Sequence, residues 1–263
     1  MQLDIGSDLH LWFDTQQVRL PAEPGDVLVL AGDIIEVEIL RANSSQREIN
    51  RKNEVLAFFR EAATKYKKVI WVFGNHEFYG SNIYTAVYEA REILKDEAIP
   101  IEILENDYLI VNDTMFFGAT TWTDLSNPVS ALIAHGGMSD YELIQNGGWI
   151  LTPADTTRLF QETKKRLMDF IQLETDLKKV YISHHAPSSL SIKPPYVGSN
   201  LNPAYANDLG TVLAYSDIKL SVHGHIHAPS DYMLGDCQVI ANPRGYYGSE
   251  QRATNFEFKR ICL

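Results

Sequence analysis

Five short runs of β-branched and aliphatic residues punctuate the chain, at 2–6 (QLDIG), 27–31 (VLVLA), 68–73 (KVIWVF), 179–183 (KVYIS) and 219–222 (KLSV). Their near-continuous apolar character is the pattern of strands buried on both faces. Between them, 45–64 and 83–97 carry amphipathic periodicity and read as helices crossing back to the sheet, with Ser81 and Asn82 as the start signal of the second. Thr152 followed by Pro153 predicts an N-cap and a first helical residue, opening a helix to about 173. Residues 101–121 read as strands broken by Asn-Asp turns, and 238–241 and 254–261 offer further strands. The connection 122–151 contains Gly136-Gly137 and Gly147-Gly148 and little periodicity. It is expected to form a cap beside the strand ends, with Trp122, His135, Tyr141 and Trp149 as its aromatic wall, and 188–206 is a second candidate wall.

Each run delivers polar residues at its C-terminal end: Asp8 and His10; Gly32-Asp33; Gly74-Asn75-His76-Glu77; Ser183-His184-His185; and Gly224-His225-Ile226-His227. Carboxyl ends of strands are where ligands bind in open α/β sheets, because loops from distant parts of the chain converge there. Taken singly the motifs have ordinary readings, since Gly-Asp after a strand is often a turn, and His223 at a strand end reads as packed. Together they offer oxygen from Asp8, Asp33 and the Asn75 amide, with imidazole nitrogen from His10, one of His184 and His185, His225 and His227. A mixed nitrogen and oxygen shell suits Mn, Fe, Zn, Ni or Co better than Mg alone. No cysteine joins the set, which removes a structural-zinc reading. The inventory is that of a two-metal hydrolytic site. Strand alternation sends His184 and His185 to opposite faces, so the two are not equivalent ligands.

These segments resemble the calcineurin-like metallophosphoesterase superfamily, whose pattern runs D-x-H, G-D-x-x-[D/E/N], G-N-H-[D/E], a strand-end His and G-H-x-H, here in order over 8–227. Asp231-Tyr232 and the stretch Ala241 to Tyr246 (ANPRGY) resemble a bacterial and phage-type branch. The resemblance implies a four-layer α/β/β/α sandwich, two mixed sheets flanked by helices. It assigns Asp8, His10, Asp33 and His227 to one metal, and Asn75, His184 and His225 to a second that Asp33 bridges. It makes His76 the catalytic imidazole and Glu36 its acidic partner, and His185 is left either to touch substrate or to stand behind the ligands. Arg244 either offers a planar fork to a phosphate oxygen or is a surface-loop residue. The reaction expected is in-line attack on a phosphomonoester or phosphodiester by a hydroxide between two metals, with His76 as general acid.

Length and composition agree with one enzyme domain spanning 1–263. The 263 residues are 45% hydrophobic and 22% charged, ordinary for a soluble globular protein. The opening MQLDIGSDLHLW leads directly into the first ligand motif and does not read as a cleavable signal, and no stretch of about 18 apolar residues suggests a membrane span. Cys237 and Cys262 are too few for a disulfide framework, so a cytoplasmic setting is expected. A net charge of −11 lacks the basic footprint of tight nucleic-acid binding and favours a small phosphoester over a nuclease substrate. A non-catalytic interaction scaffold on the same fold would have lost a ligand or His76, and neither is missing.

Overall fold

The computed structural model describes residues 1–15 and 17–263 and arranges them around two large sheets. In chain order the strands are β1 (Gln2–Gly6), β2 (Val27–Ala31), β3 (Lys68–Val72), β4 (Glu102–Leu104), β5 (Asp107–Val111), β6 (Thr114–Ala119), β7 (Gln145–Asn146), β8 (Trp149–Ile150), β9 (Lys178–Ser183), β10 (Ile218–His223), β11 (Ser230–Leu234), β12 (Cys237–Ala241) and β13 (Lys259–Cys262). The first sheet runs β13-β1-β2-β3-β4 and the second β11-β12-β10-β9-β6-β5. Strands β1 to β4 are mutually parallel and β13 closes their edge antiparallel. In the second sheet β12, β10, β9 and β6 are parallel, and β11 and β5 are antiparallel edges.

Period-two alternation divides each central strand between two cores. In β2, Val27, Val29 and Ala31 face the second sheet and meet Phe116, Val180, Ile182 and Val222, while Leu28 and Leu30 face the helices. The outer face of the first sheet packs on the helices Gln46–Lys65 and Ala86–Asp96 through Val55, Phe59, Ala62, Ala90 and Leu94. That of the second packs on Pro153–Ile171 through Phe160, Leu167 and Phe170. The result is the expected four-layer α/β/β/α arrangement. Burying an aliphatic or aromatic side chain in such a core contributes about 1.5–3 kcal/mol.

Local signals account for most helix ends. Ser45 and Glu48 form a reciprocal capping box at Gln46, and Thr152 with Asp155 does the same ahead of Pro153. The helix expected from 83 begins only at Ala86. Its approach is diverted because Ile83 N–H donates to the Gln145 carbonyl at 2.8 Å and Gln145 N–H to the Ser81 carbonyl at 2.9 Å, so these backbone groups are spent on a bridge. The 101–121 stretch turns at Asn106 and Asn112, both at positive φ. The strand expected over 254–261 is confined to β13, because Gln251–Thr254 forms a helical turn.

The 122–151 connection is more ordered than its sequence suggests. It holds the helices Pro128–Gly137 and Asp140–Leu143 and the small hairpin β7-β8. Trp122 and Tyr141 are buried in the core of the first sheet, whereas His135 is exposed and Trp149 is 83% exposed. Among the described residues, no helix is long and apolar enough to cross a membrane.

Candidate metal centre

The C-terminal ends of β1, β2, β3, β9 and β10 meet at one edge of the sandwich, and the chain must turn sharply there to aim side chains back at a common point. Asp8, His10, Asp33, His225 and His227 all take left-handed backbone conformations, with φ of 51°, 46°, 55°, 67° and 43°. Such conformations cost non-glycine residues about 1–3 kcal/mol each and persist where surrounding structure enforces them, typically at functional sites. Two glycines make the approach possible. A Cβ on Gly32, at φ 86°, would lie 2.2 Å from His184 Nδ1, and one on Gly74 would lie 2.2 Å from Asp33 Oδ1.

Two donor groups result. One ligand atom from each of Asp8, His10, Asp33 and His227 falls within 4.8 Å of the others, as do those of Asp33, His184 and His225, so Asp33 belongs to both groups. In the first, His10 Nε2 and His227 Nε2 face each other at 3.1 Å, and His227 Nε2 is 3.4 Å from Asp8 Oδ1. In the second, His184 Nε2 lies 3.3 Å from Asp33 Oδ2 and 3.2 Å from Asn75 Oδ1. The Nε2 of His225 is buried with no hydrogen-bond partner among the described residues. His184 donates from Nδ1 to the Ala31 carbonyl at 2.9 Å, so Nε2 is the ring nitrogen turned to the site.

Electrostatics points the same way. Burial opposes charge on Asp33, but the facing His184, His76 and His10 outweigh it and hold its carboxyl well below the usual range. Burial likewise opposes the imidazolium of His184, yet Asp33 and Asp8 push it up to about 9. His227 rises to about 10 because Asp8 and Glu250 outweigh desolvation. Desolvation instead keeps His10 neutral, down to about 3. Buried carboxylates that hold protons on two imidazoles mark a site short of positive charge. Unpaired buried nitrogen, converging carboxylates and an amide oxygen fit bound cations, and the nitrogen and oxygen mixture suits first-row transition ions.

His76 opens the turn after β3, with its ring stacked on Trp12 at 5.2 Å and Nε2 3.9 Å from Asp33 Oδ2. The expected pairing with Glu36 is not made. His76 Nδ1 has no partner among the described residues, and the group near Nε2 is the Tyr246 hydroxyl at 3.2 Å. Glu36 precedes the helix Val37–Arg41 and lines a separate groove with Trp12 and Arg41, where burial and the charges of Glu38 and Asp33 push its carboxyl up to about 7.

Burial decides two further expectations. Arg244 is no phosphate fork, because its guanidinium is fully buried beneath the loop of Asp8 and His10. It donates from Nη1 to the carbonyls of Leu9 at 2.9 Å and Asp14 at 3.0 Å, with Nη2 3.5 Å from Asp14 Oδ2. Its planar donors brace the turn carrying Asp8 and His10. His185 points away from the cavity, its Nδ1 3.3 Å from the Thr120 carbonyl and its ring 4.3 Å from that of His225. Desolvation and the neighbouring His184 lower it to about 3, so it is neutral packing behind His225. His223, read as packed, is buried with Ser191 and the Gly224 carbonyl as partners.

Other groups at the site carried little or no separable signal. Glu77 is fully buried and accepts from the backbone N–H groups of Asp33, Ile34 and Gly74 and from Trp71 Nε1, tying the β2 and β3 loops together. Its position in Gly74-Asn75-His76-Glu77 was the available clue. Glu250 accepts from His227 Nδ1 at 2.7 Å, orienting that ring. Asp140 approaches Asn75 from the 122–151 connection.

A cavity of about 520 Å³ opens above the centre. Its floor includes Asp33, Asn75, His76, His225 and His227, and its walls come from Gly137 to Ser139 and from residues between Ile192 and Tyr205. The aromatic lining is Tyr79, Tyr196, Tyr205 and Tyr246; the expected Trp122, His135, Tyr141 and Trp149 do not reach it.

Comparison with known proteins adds a family. The profile of the calcineurin-like phosphoesterases matches residues 3–229. An uncharacterized protein of Acanthamoeba polyphaga mimivirus is 28% identical over 242 residues, covering 85% of this chain and 80% of that protein. Among solved structures, phosphopantetheinyl hydrolase from Mycobacterium tuberculosis superposes with a TM-score of 0.66 at 18% identity, covering 93% of this chain and 89% of that one.

Proposed function

Because the chain belongs to the calcineurin-like phosphoesterase family, we propose that it is a two-metal hydrolase of a small phosphomonoester or phosphodiester. The observation that carries this reading is the pair of donor groups sharing Asp33, with His76 beside them on the floor of one cavity. Asp8, His10, Asp33 and His227 hold one ion. Asp33, Asn75, His184 and His225 hold the other. When bound, the ions supply a nucleophilic water near neutral pH and charge compensation for the phosphate oxygens. The residues argue for Mn, Fe, Co, Ni or Zn in this role.

His76 reaches the same cavity and protonates the leaving oxygen, with the stacked Trp12 and the Tyr246 hydroxyl fixing its ring. The leaving group occupies the space between Gly137–Ser139 and the 192–205 wall. Lys193 adds positive charge there and suits an anionic substrate. The 122–151 connection acts as a cap over part of this space. A net charge of −11 speaks for a small molecule over a nucleic acid.

The test is to strip the protein of metal, reload it with each candidate ion or Mg²⁺, and assay chromogenic phosphomonoesters, diesters and cyclic nucleotides. Hydrolysis restored by transition ions, with Mg²⁺ alone much weaker, is expected. Absence of hydrolysis for every ion and ester class would overturn the proposal.

A further inference from the structure

The Asn75 amide is held by a residue far away in the chain. Asp140, the first residue of the helix Asp140–Leu143, is buried, and its Oδ1 accepts from Asn75 Nδ2 at 2.8 Å and from the Tyr79 hydroxyl at 2.8 Å. Asn75 Nδ2 also donates to the Tyr79 oxygen at 3.2 Å. The nitrogen end of the amide, its only donor, faces the Asp140 carboxylate and the Tyr79 hydroxyl. Its oxygen is therefore turned the other way, toward His184 Nε2 at 3.2 Å. Rotating the amide would press that oxygen against a carboxylate, with no proton between them. Charge-assisted hydrogen bonds are stronger than neutral ones, so the orientation is set firmly.

The peptide carrying Asp140 is itself fixed. Gly80 N–H donates to the Leu143 carbonyl at 3.1 Å, and the Ser81 and Ile83 backbones pair with Gln145. Met138 and Ser139, immediately before Asp140, line the cavity. One segment thus carries both a cavity wall and the acceptor that aims a candidate ligand.

We infer that Asp140 is a positioning residue that holds the Asn75 oxygen toward the second metal position, which makes the 122–151 connection part of the metal centre. The inference rests on the two-metal reading above. It narrows what the connection can be: a cap that only selected substrate could be shortened without touching the metals, whereas this one cannot lose Asp140.

The experiment is a metal titration of the apo protein with Mn²⁺ and with Co²⁺, following bound ions by elemental analysis and the Co²⁺ absorption spectrum. The proteins compared are wild type, Asn75→Ala, Asp140→Asn and Asp140→Ala. Wild type is expected to take up two ions. Asp140→Ala should weaken the second by roughly 10–100-fold, the usual effect of losing an outer partner of a ligand, and leave the first unchanged. Asp140→Asn keeps an acceptor oxygen but not the charge, and should fall between them. If Asp140→Ala does not fold, Asp140→Asn alone decides by whether second-ion affinity drops. Unchanged second-ion affinity in a folded Asp140 variant, or equal weakening of both ions, would overturn the positioning role. Failure of the two-metal reading looks different: wild type would bind fewer than two ions, or Asn75→Ala would bind the second as wild type does.

Discussion

The Tyr246 hydroxyl stands 3.2 Å from Nε2 of His76, while the Tyr246 ring stacks on His10 at 4.4 Å. One side chain from the C-terminal region thus touches both the proposed general acid and a proposed metal ligand. Tyr246→Phe keeps the stacking and removes only the hydroxyl. It should retain both metals and lower kcat on esters with poor leaving groups about tenfold, the scale of one hydrogen bond. His76→Asn should cost about 10²–10⁴-fold on the same esters. Both losses should shrink on p-nitrophenyl esters, whose leaving group needs no proton. Equal losses on both ester types would show that His76 does not act as the acid.

Asp33 is common to both donor groups. Asp33→Asn should therefore weaken binding of both ions, unlike a substitution at His227 or His225, which should affect one. Elemental analysis across a metal titration separates the two patterns. Retention of either ion at wild-type affinity in Asp33→Asn would argue against a bridging carboxylate.

Arg244 supports the loop of Asp8 and His10 from beneath. Arg244→Met should leave the Leu9 and Asp14 carbonyls short of donors and lower unfolding stability by about 2–4 kcal/mol. The KM of the folded fraction should stay near wild type, because the guanidinium does not line the cavity. Denaturant unfolding with parallel kinetics distinguishes this from phosphate binding, in which KM would rise with little change in stability.

Asp4 ties the first strand to the last. Burial raises its pKa, but hydrogen bonds from Arg260, the Gly25 N–H and the Tyr66 hydroxyl outweigh that and leave it below its ordinary 3.8. A carboxyl with a lowered folded-state pKa stabilises the fold above its unfolded value and loses that contribution as pH falls through the folded one. Asp4→Asn should thus cost about 1–2 kcal/mol at pH 7. The gap from wild type should close as pH drops below 3.8. A gap independent of pH would mean that packing at Asp4 matters and its charge does not.

Much of this architecture is written locally. The alternation that makes Leu28 and Leu30 face helices while Val27 and Val29 face the other sheet is visible along five residues. So are the caps at Ser45 and Thr152. The helix start expected near Asn82 shows where local reading stops, because Gln145, distant in the chain, takes the backbone groups that would have begun it. The 122–151 connection shows little periodicity because its buried residues, Trp122, Tyr141 and Ile144 among them, come from separate short pieces of chain and not from one helix face.

By itself, the sequence determined the donor inventory and its setting: which oxygen and nitrogen groups follow which strands, and that parallel strands bring those ends to one edge. Tertiary structure alone decided the partners of those groups. It set His184 against Asp33 and turned His185 to the Thr120 carbonyl, buried Arg244, and withheld Glu36 from His76 in favour of Tyr246. It also brought Glu250 to His227 and Asp140 to Asn75. The reason is physical. Strand formation and capping depend on neighbours a few residues away, whereas the orientation of a ring or an amide is fixed by whichever buried donor or acceptor the whole fold delivers within about 3 Å of it.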